Sequence, residues 1–161
     1  MILIIGSEAS GKKEYVKGLG YTDDQISECI NDNKPVLYGL HRIVAANPEK
    51  VRNTLSRIEN LSSGKSLSKT DTLAASEEAA DFPANIQSAA AKSDKINPAD
   101  QWLTNLLAKE IIVCNEVGSG IIPMLASERM YREQTGRLCT LLAGRAEHVI
   151  RMVCGIPVIL R

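Results

Sequence analysis

The chain has 161 residues, 44% of them hydrophobic and 4% aromatic, and its 19 Lys+Arg are balanced by 19 Asp+Glu for a formal net charge of +0. That length and apolar content support one domain with a mainly aliphatic core and exclude a chain disordered throughout. The even charge balance leaves no basic footprint for nucleic acid, and no apolar run approaches the length of a membrane span.

The pattern starts at the first residues. Ile2, Leu3, Ile4 and Ile5 form an unbroken aliphatic run. Isoleucine is β-branched, and a short apolar run stopped by glycine predicts a strand buried on both faces. The run begins directly after Met1 with no basic leader, so no targeting segment is expected and the expected location is cytoplasmic. Gly6-Ser7-Glu8-Ala9-Ser10-Gly11-Lys12-Lys13 follows, a G-x-x-x-x-G-K phosphate-binding pattern. Gly6 lets the chain turn off the strand, and Gly11 permits close approach of backbone to a phosphate. Backbone N–H groups then converge at the start of the next helix, and Lys12 adds a point charge for the β- and γ-phosphates. The residue after the lysine is Lys13, where a Ser or Thr hydroxyl ordinarily holds Mg²⁺. A second ammonium there either replaces part of the cation's charge or marks a loop that no longer catalyses.

Residues 12–19 read as a short helix with Tyr15, Val16 and Leu19 on one face, ended by Gly18 and Gly20. Thr22 and Gln25 have capping-box spacing, which predicts a helix start leading into residues 26–30. Residues 31–35 are a turn, and Val36-Leu37-Tyr38 is a second strand closed by Gly39. Residues 42–58 read as helical with a break at Asn47-Pro48, where Pro48 opens a new helix. Residues 60–98 are rich in Ser and Ala and poor in large apolar residues, as expected of a partly helical surface excursion. Gly64-Lys65-Ser66 within it lacks the strand and the first glycine of a phosphate loop.

Residues 99–109 form a further expected helix, with Trp102, Leu103, Leu106 and Leu107 inward. Residues 111–114 are the third continuous apolar strand and lead into the polar loop Asn115-Glu116-Val117-Gly118-Ser119-Gly120. Residues 125–146 are the longest helix, with Leu138, Leu141, Leu142 and Ala146 on its apolar face. Arg129, Arg132, Arg137 and Arg145 lie on the other, read as a solvated face from which one or two side chains can reach an anionic ligand or a neighbouring subunit. Residues 149–153 make a fourth strand, and 158–160 finish at an edge. Cys29, Cys114, Cys139 and Cys154 have no C-x-x-C spacing and read as reduced, buried small hydrophobes.

Strands alternating with helices define an α/β fold with a mostly parallel sheet, whose ligands bind at the carboxyl ends of the strands. The loop 6–13, residues 39–41 and residues 115–120 all follow strands, so they are expected at one sheet edge. Glu116 is placed to hold a metal, to accept a proton from a substrate hydroxyl, or to shape its loop by bonding backbone. His41 is a candidate base, nucleophile or phosphate contact, with a satisfied structural histidine as the alternative. His148 is expected as a partner for a helix C-terminus.

Three segments together resemble a known family. They are Asn115-Glu116-Val117-Gly118-Ser119-Gly120-Ile121-Ile122-Pro123, a following helix with Arg132 and Gly136-Arg137-Leu138, and the ending Val153-Cys154-Gly155-Ile156-Pro157. With the opening strand and loop, they resemble the bifunctional adenosylcobinamide kinase/adenosylcobinamide-phosphate guanylyltransferase family of cobalamin biosynthesis, over residues 1–17 and about 101–161. The resemblance implies a P-loop NTPase-like three-layer sandwich that phosphorylates the hydroxyl of adenosylcobinamide with GTP or ATP. It implies that Gly6 to Lys12 hold the triphosphate and that Glu116 sits near the phosphates or metal. With the loop pattern and the strand-end placement of His41, the expected nucleotide contacts are Gly6, Ser7, Glu8, Ala9, Ser10, Gly11, Lys12 and Lys13, and the expected catalytic set is Lys12, Glu116 and His41. The resemblance also implies a homo-oligomer, a trimer as in the family. The chain is most similar to shortened relatives without the guanylyltransferase region, so the kinase step is the one expected. The alternative is an inactive relative that binds nucleotide or corrinoid as a sensor or scaffold.

Overall fold

The computed structural model describes residues 1–62 and 98–161. Apart from its ends, the Ser/Ala-rich stretch at 60–98 lies outside the described residues, and so does Gly64-Lys65-Ser66. The first strand, β1 (Ile2–Gly6), leads through the loop to α1 (Lys12–Gly18). A 3₁₀ turn (Asp23–Gln25) then precedes β2 (Ile26–Ser27) and β3 (Val36–Tyr38). Helices α2 (Leu40–Ala46), α3 (Pro48–Ser62) and α4 (Pro98–Leu107) come before β4 (Ile111–Asn115). The chain ends with α5 (Ala126–Arg145), β5 (His148–Val153) and β6 (Ile156–Ile159).

The six strands lie in the order β2-β3-β4-β1-β5-β6. Every neighbouring pair is parallel except β5 with β6. β1 is central, with Gly6 opposite Asn115 on one side and Met152 on the other. Its apolar run is explained by that place, because alternate residues feed two different cores. Leu3, Leu37, Ile112, Cys114 and Val149 pack with residues of α2, α3, α4 and α5. Ile4, Val36, Val113, Ile150 and Met152 face the other way, onto Val16 of α1. Among the described residues the sheet is thus covered thickly on one face and by a single short helix on the other. The strand order switches direction at β1, and the chain leaves β1 and β4 toward opposite faces. That opens a crevice at their carboxyl ends.

The helix break at Asn47-Pro48 is where the pattern put it, with α3 starting at Pro48 and the Val51 N–H donating to Asn47 O. The helix expected over 26–30 is not formed. The Thr22–Gln25 capping box is present but closes only one 3₁₀ turn. Ile26 and Ser27 then pair with Val36 and Leu37, so sheet pairing outweighs local helical preference. His148 is the first residue of β5, opposite Ile2, and is not a partner of the long helix's end. Of the four cysteines only Cys114 is fully buried, while Cys29 and Cys154 are exposed at turns.

Candidate functional site at the carboxyl edge of the sheet

The loop after β1 is shaped by backbone that few residues tolerate. Ala9 and Gly11 both have positive φ, 54° and 83°. A side chain at Gly6 would place its Cβ 2.7 Å from both Met152 O and Ser10 Oγ, and one at Gly11 would meet Gly155 Cα at 3.1 Å. Gly155 belongs to the tight turn joining β5 to β6, where it and Cys154 both have positive φ, as two-residue hairpins favour. Its N–H donates to Ser10 O at 3.1 Å. The hairpin tip therefore packs directly on the loop, and this accounts for the glycine in Val153-Cys154-Gly155-Ile156-Pro157.

Lys12 closes the loop from within. Its side chain is buried, and Nζ donates to Ser7 O at 2.5 Å, Gly6 O at 3.2 Å and Ser10 Oγ at 3.3 Å. Burial pulls the ammonium below its ordinary pKa, and the nearby Glu8 carboxylate opposes that shift. Among the described residues, no acceptor takes the backbone N–H groups of residues 8–13. Six unpartnered donors at a helix start, beside a lysine, form a cradle for an anion.

The three expected segments do meet here. The Glu116 N–H donates to Gly6 O at 2.9 Å, and the Gly39 N–H donates to Val113 O at 3.0 Å. Asn115 ties all three together. Its Nδ2 donates to Glu8 Oε2 at 3.0 Å and its backbone N–H donates to His41 Nδ1 at 3.2 Å. An Nδ1 that accepts carries no proton, so His41 is neutral with its proton on Nε2. Burial, with Arg42 adding to it, lowers the His41 pKa and favours the same neutral state.

Two expected site residues have partners that the sequence did not reveal. Lys13 points to the flank of α1, where Asp23 holds its ammonium at 3.0 Å and also takes Lys17 at 2.8 Å. The hydrogen bond to Asp23 raises the Lys13 pKa. Glu116 is bound by Arg151 of β5. Nη2 donates to both Oε1 and Oε2 at 3.0 Å, and Nε donates to Oε2 at 3.3 Å. A cation inside the otherwise apolar 149–153 run was the available sign of Arg151.

The arginines of α5 are also more than a solvated face. Arg132 donates to the carbonyls of Gly118, Gly120 and Ile121, and Arg129 donates to those of Pro123 and Met124. These two side chains fasten residues 118–124 while Ile121 and Met124 stay 94% and 95% exposed.

Fold and site define an α/β protein whose mostly parallel sheet carries a strand–loop–helix unit with the loop's backbone N–H groups unpartnered among the described residues. Over residues 58–160, more than half of the chain, the sequence matches the model of the family described as cobinamide kinase / cobinamide phosphate guanyltransferase, and the chain belongs to that family. A search of curated proteins found no match. Membership ties the chain to kinase and transferase chemistry on cobinamide in cobalamin biosynthesis, with a nucleoside triphosphate as donor. The matched range contains Glu116, Arg132, Arg151 and the β5–β6 turn, and starts after the loop 6–13 and His41. Among the described residues, no helix is long and apolar enough to cross a membrane.

Proposed function

We propose that this chain is a cytoplasmic, single-domain P-loop kinase that binds GTP or ATP at residues 6–13 and phosphorylates adenosylcobinamide. The observation that carries the reading is the cradle itself: unpartnered N–H groups of residues 8–13 around Lys12, in a chain of the cobinamide kinase family. Gly6, Ser7, Glu8, Ala9, Ser10, Gly11 and Lys12 surround the phosphates, and the Lys12 ammonium exchanges loop carbonyls for phosphate oxygens. His41 offers an Nε2–H to the same oxygens. For Nε2 to act as a nucleophile, the proton would have to move to Nδ1, which is facing the Asn115 N–H. The guanylyltransferase step is therefore no part of the proposal. The corrinoid hydroxyl approaches beside Glu116 and the loop 118–124. The exposed Ile121, Met124, Ile156 and Ile159 support association of copies of this chain, a trimer by family resemblance.

A second reading, a nucleotide- or corrinoid-binding relative without turnover, is favoured by one observation, the engagement of both Glu116 oxygens by Arg151. One experiment separates the two. The protein is titrated calorimetrically with GTP and ATP, then given adenosylcobinamide while nucleotide hydrolysis and phosphoryl transfer are followed. Wild type binds nucleotide, and Lys12→Ala binds it at least about tenfold more weakly, the scale of one lost charge-assisted contact. Equal binding by the variant removes the site assignment. Binding without corrinoid-dependent transfer establishes the second reading.

A further inference from the structure

Mg²⁺ takes near-octahedral oxygen ligands, commonly one or two protein oxygens completed by phosphates and water. The two positions that ordinarily supply the protein oxygens do not fit it, and the loop's own carboxylate, Glu8, has Oε2 engaged by Asn115 Nδ2 at 3.0 Å. At the position of the usual hydroxyl stands Lys13, an ammonium that cannot ligate a metal and that Asp23 holds away at 3.0 Å. The carboxylate at the end of β4, Glu116, has both oxygens occupied by Arg151. A divalent ion at that carboxylate would also sit against a guanidinium.

What the edge offers instead is a fixed guanidinium. Arg151 spends Nε and Nη2 on Glu116 and keeps Nη1 without an acceptor among the described residues. Its side chain is 47% exposed. It lies on β5 opposite Ile5, one residue before the loop, and Glu116 is itself bonded to Gly6 O. A guanidinium held by two of its nitrogens has little freedom left to lose, and planar N–H pairs suit phosphate oxygens.

We infer that Arg151, positioned by Glu116, takes the place of the divalent cation in this chain, so that nucleoside triphosphate binds independently of Mg²⁺. The inference rests on residues 6–13 being the phosphate site. Isothermal titration with GTP and ATP, in excess Mg²⁺ and in EDTA, tests it on wild type and Arg151→Leu. Wild-type affinity is the same in both buffers to within about twofold, while Arg151→Leu weakens by about tenfold in EDTA. Mg²⁺ restores part of that loss, because the leucine variant frees the Glu116 oxygens, and a merely structural role for Arg151 would not respond to the metal. If the leucine variant does not fold, Arg151→Lys keeps the charge without the fork and gives the same comparison at smaller amplitude. Wild-type binding that requires Mg²⁺ overturns this inference and leaves the phosphate site standing, as does undiminished binding by the variants in EDTA. No nucleotide binding in either buffer overturns both.

Discussion

His41 shows what one residue's surroundings decide. Its Nδ1 accepts from Asn115, and its pKa lies below the ordinary histidine value because it is half-buried. The unfolded chain therefore takes up the proton first as pH falls. Neutral His41 contributes stability above the ordinary value of about 6.5, and that contribution is lost as pH drops through the lower folded value. Urea midpoints should fall between about pH 7.5 and about pH 5.5. His41→Asn, whose side-chain oxygen can accept the same N–H without titrating, should lack that part of the fall; an unchanged pH profile in the variant would dissociate His41 from it. Glycines at this scale were legible, since Gly6 and Gly11 stand where a Cβ would collide with Met152 and Gly155. The state of His41 was not, because its partner lies 74 positions away.

The loop 118–124 is an element with no hydrophobic core of its own. It is held by Arg129 and Arg132 from the first turns of α5, through carbonyls that water would otherwise satisfy. Arg132→Ala should open the loop to protease at residues 118–124 and lower phosphoryl transfer. Global stability should change by less than about 1 kcal/mol, because these contacts are exposed. Nucleotide affinity at the cradle should stay within about twofold, since no Arg132 contact reaches residues 6–13. Limited proteolysis and titration on the same sample check both. The existence of α2, α3, α4 and α5 and the break at Pro48 followed from apolar spacing, while α2 starts two residues before the expected 42 and α3 runs to Ser62, past the expected end at 58. The 26–30 segment misled because two residues of sheet pairing decided it.

Across the whole molecule, the thick core belongs to one face of the sheet. Leu138 and Leu142 of α5 are fully buried there with Leu3, Leu37 and Ile112. Leu142→Ala should cost about 2–5 kcal/mol, read as a lowered urea midpoint, because it empties space among four helices and the sheet. What is local was legible in the residues alone. Unbroken aliphatic runs require strands buried on both faces, and G-x-x-x-x-G-K after the first run requires a turn with its donors exposed at a helix start. Spaced leucines require helices with one apolar side. Which charges meet was set by the folded arrangement of the strands and helices. Lys13 is drawn to Asp23, and Arg151 reaches Glu116 over 35 positions because β1 lies between their strands. Periodicity reports which face of an element is buried. The partner of a polar side chain depends instead on strand order and register, which no short stretch of sequence contains.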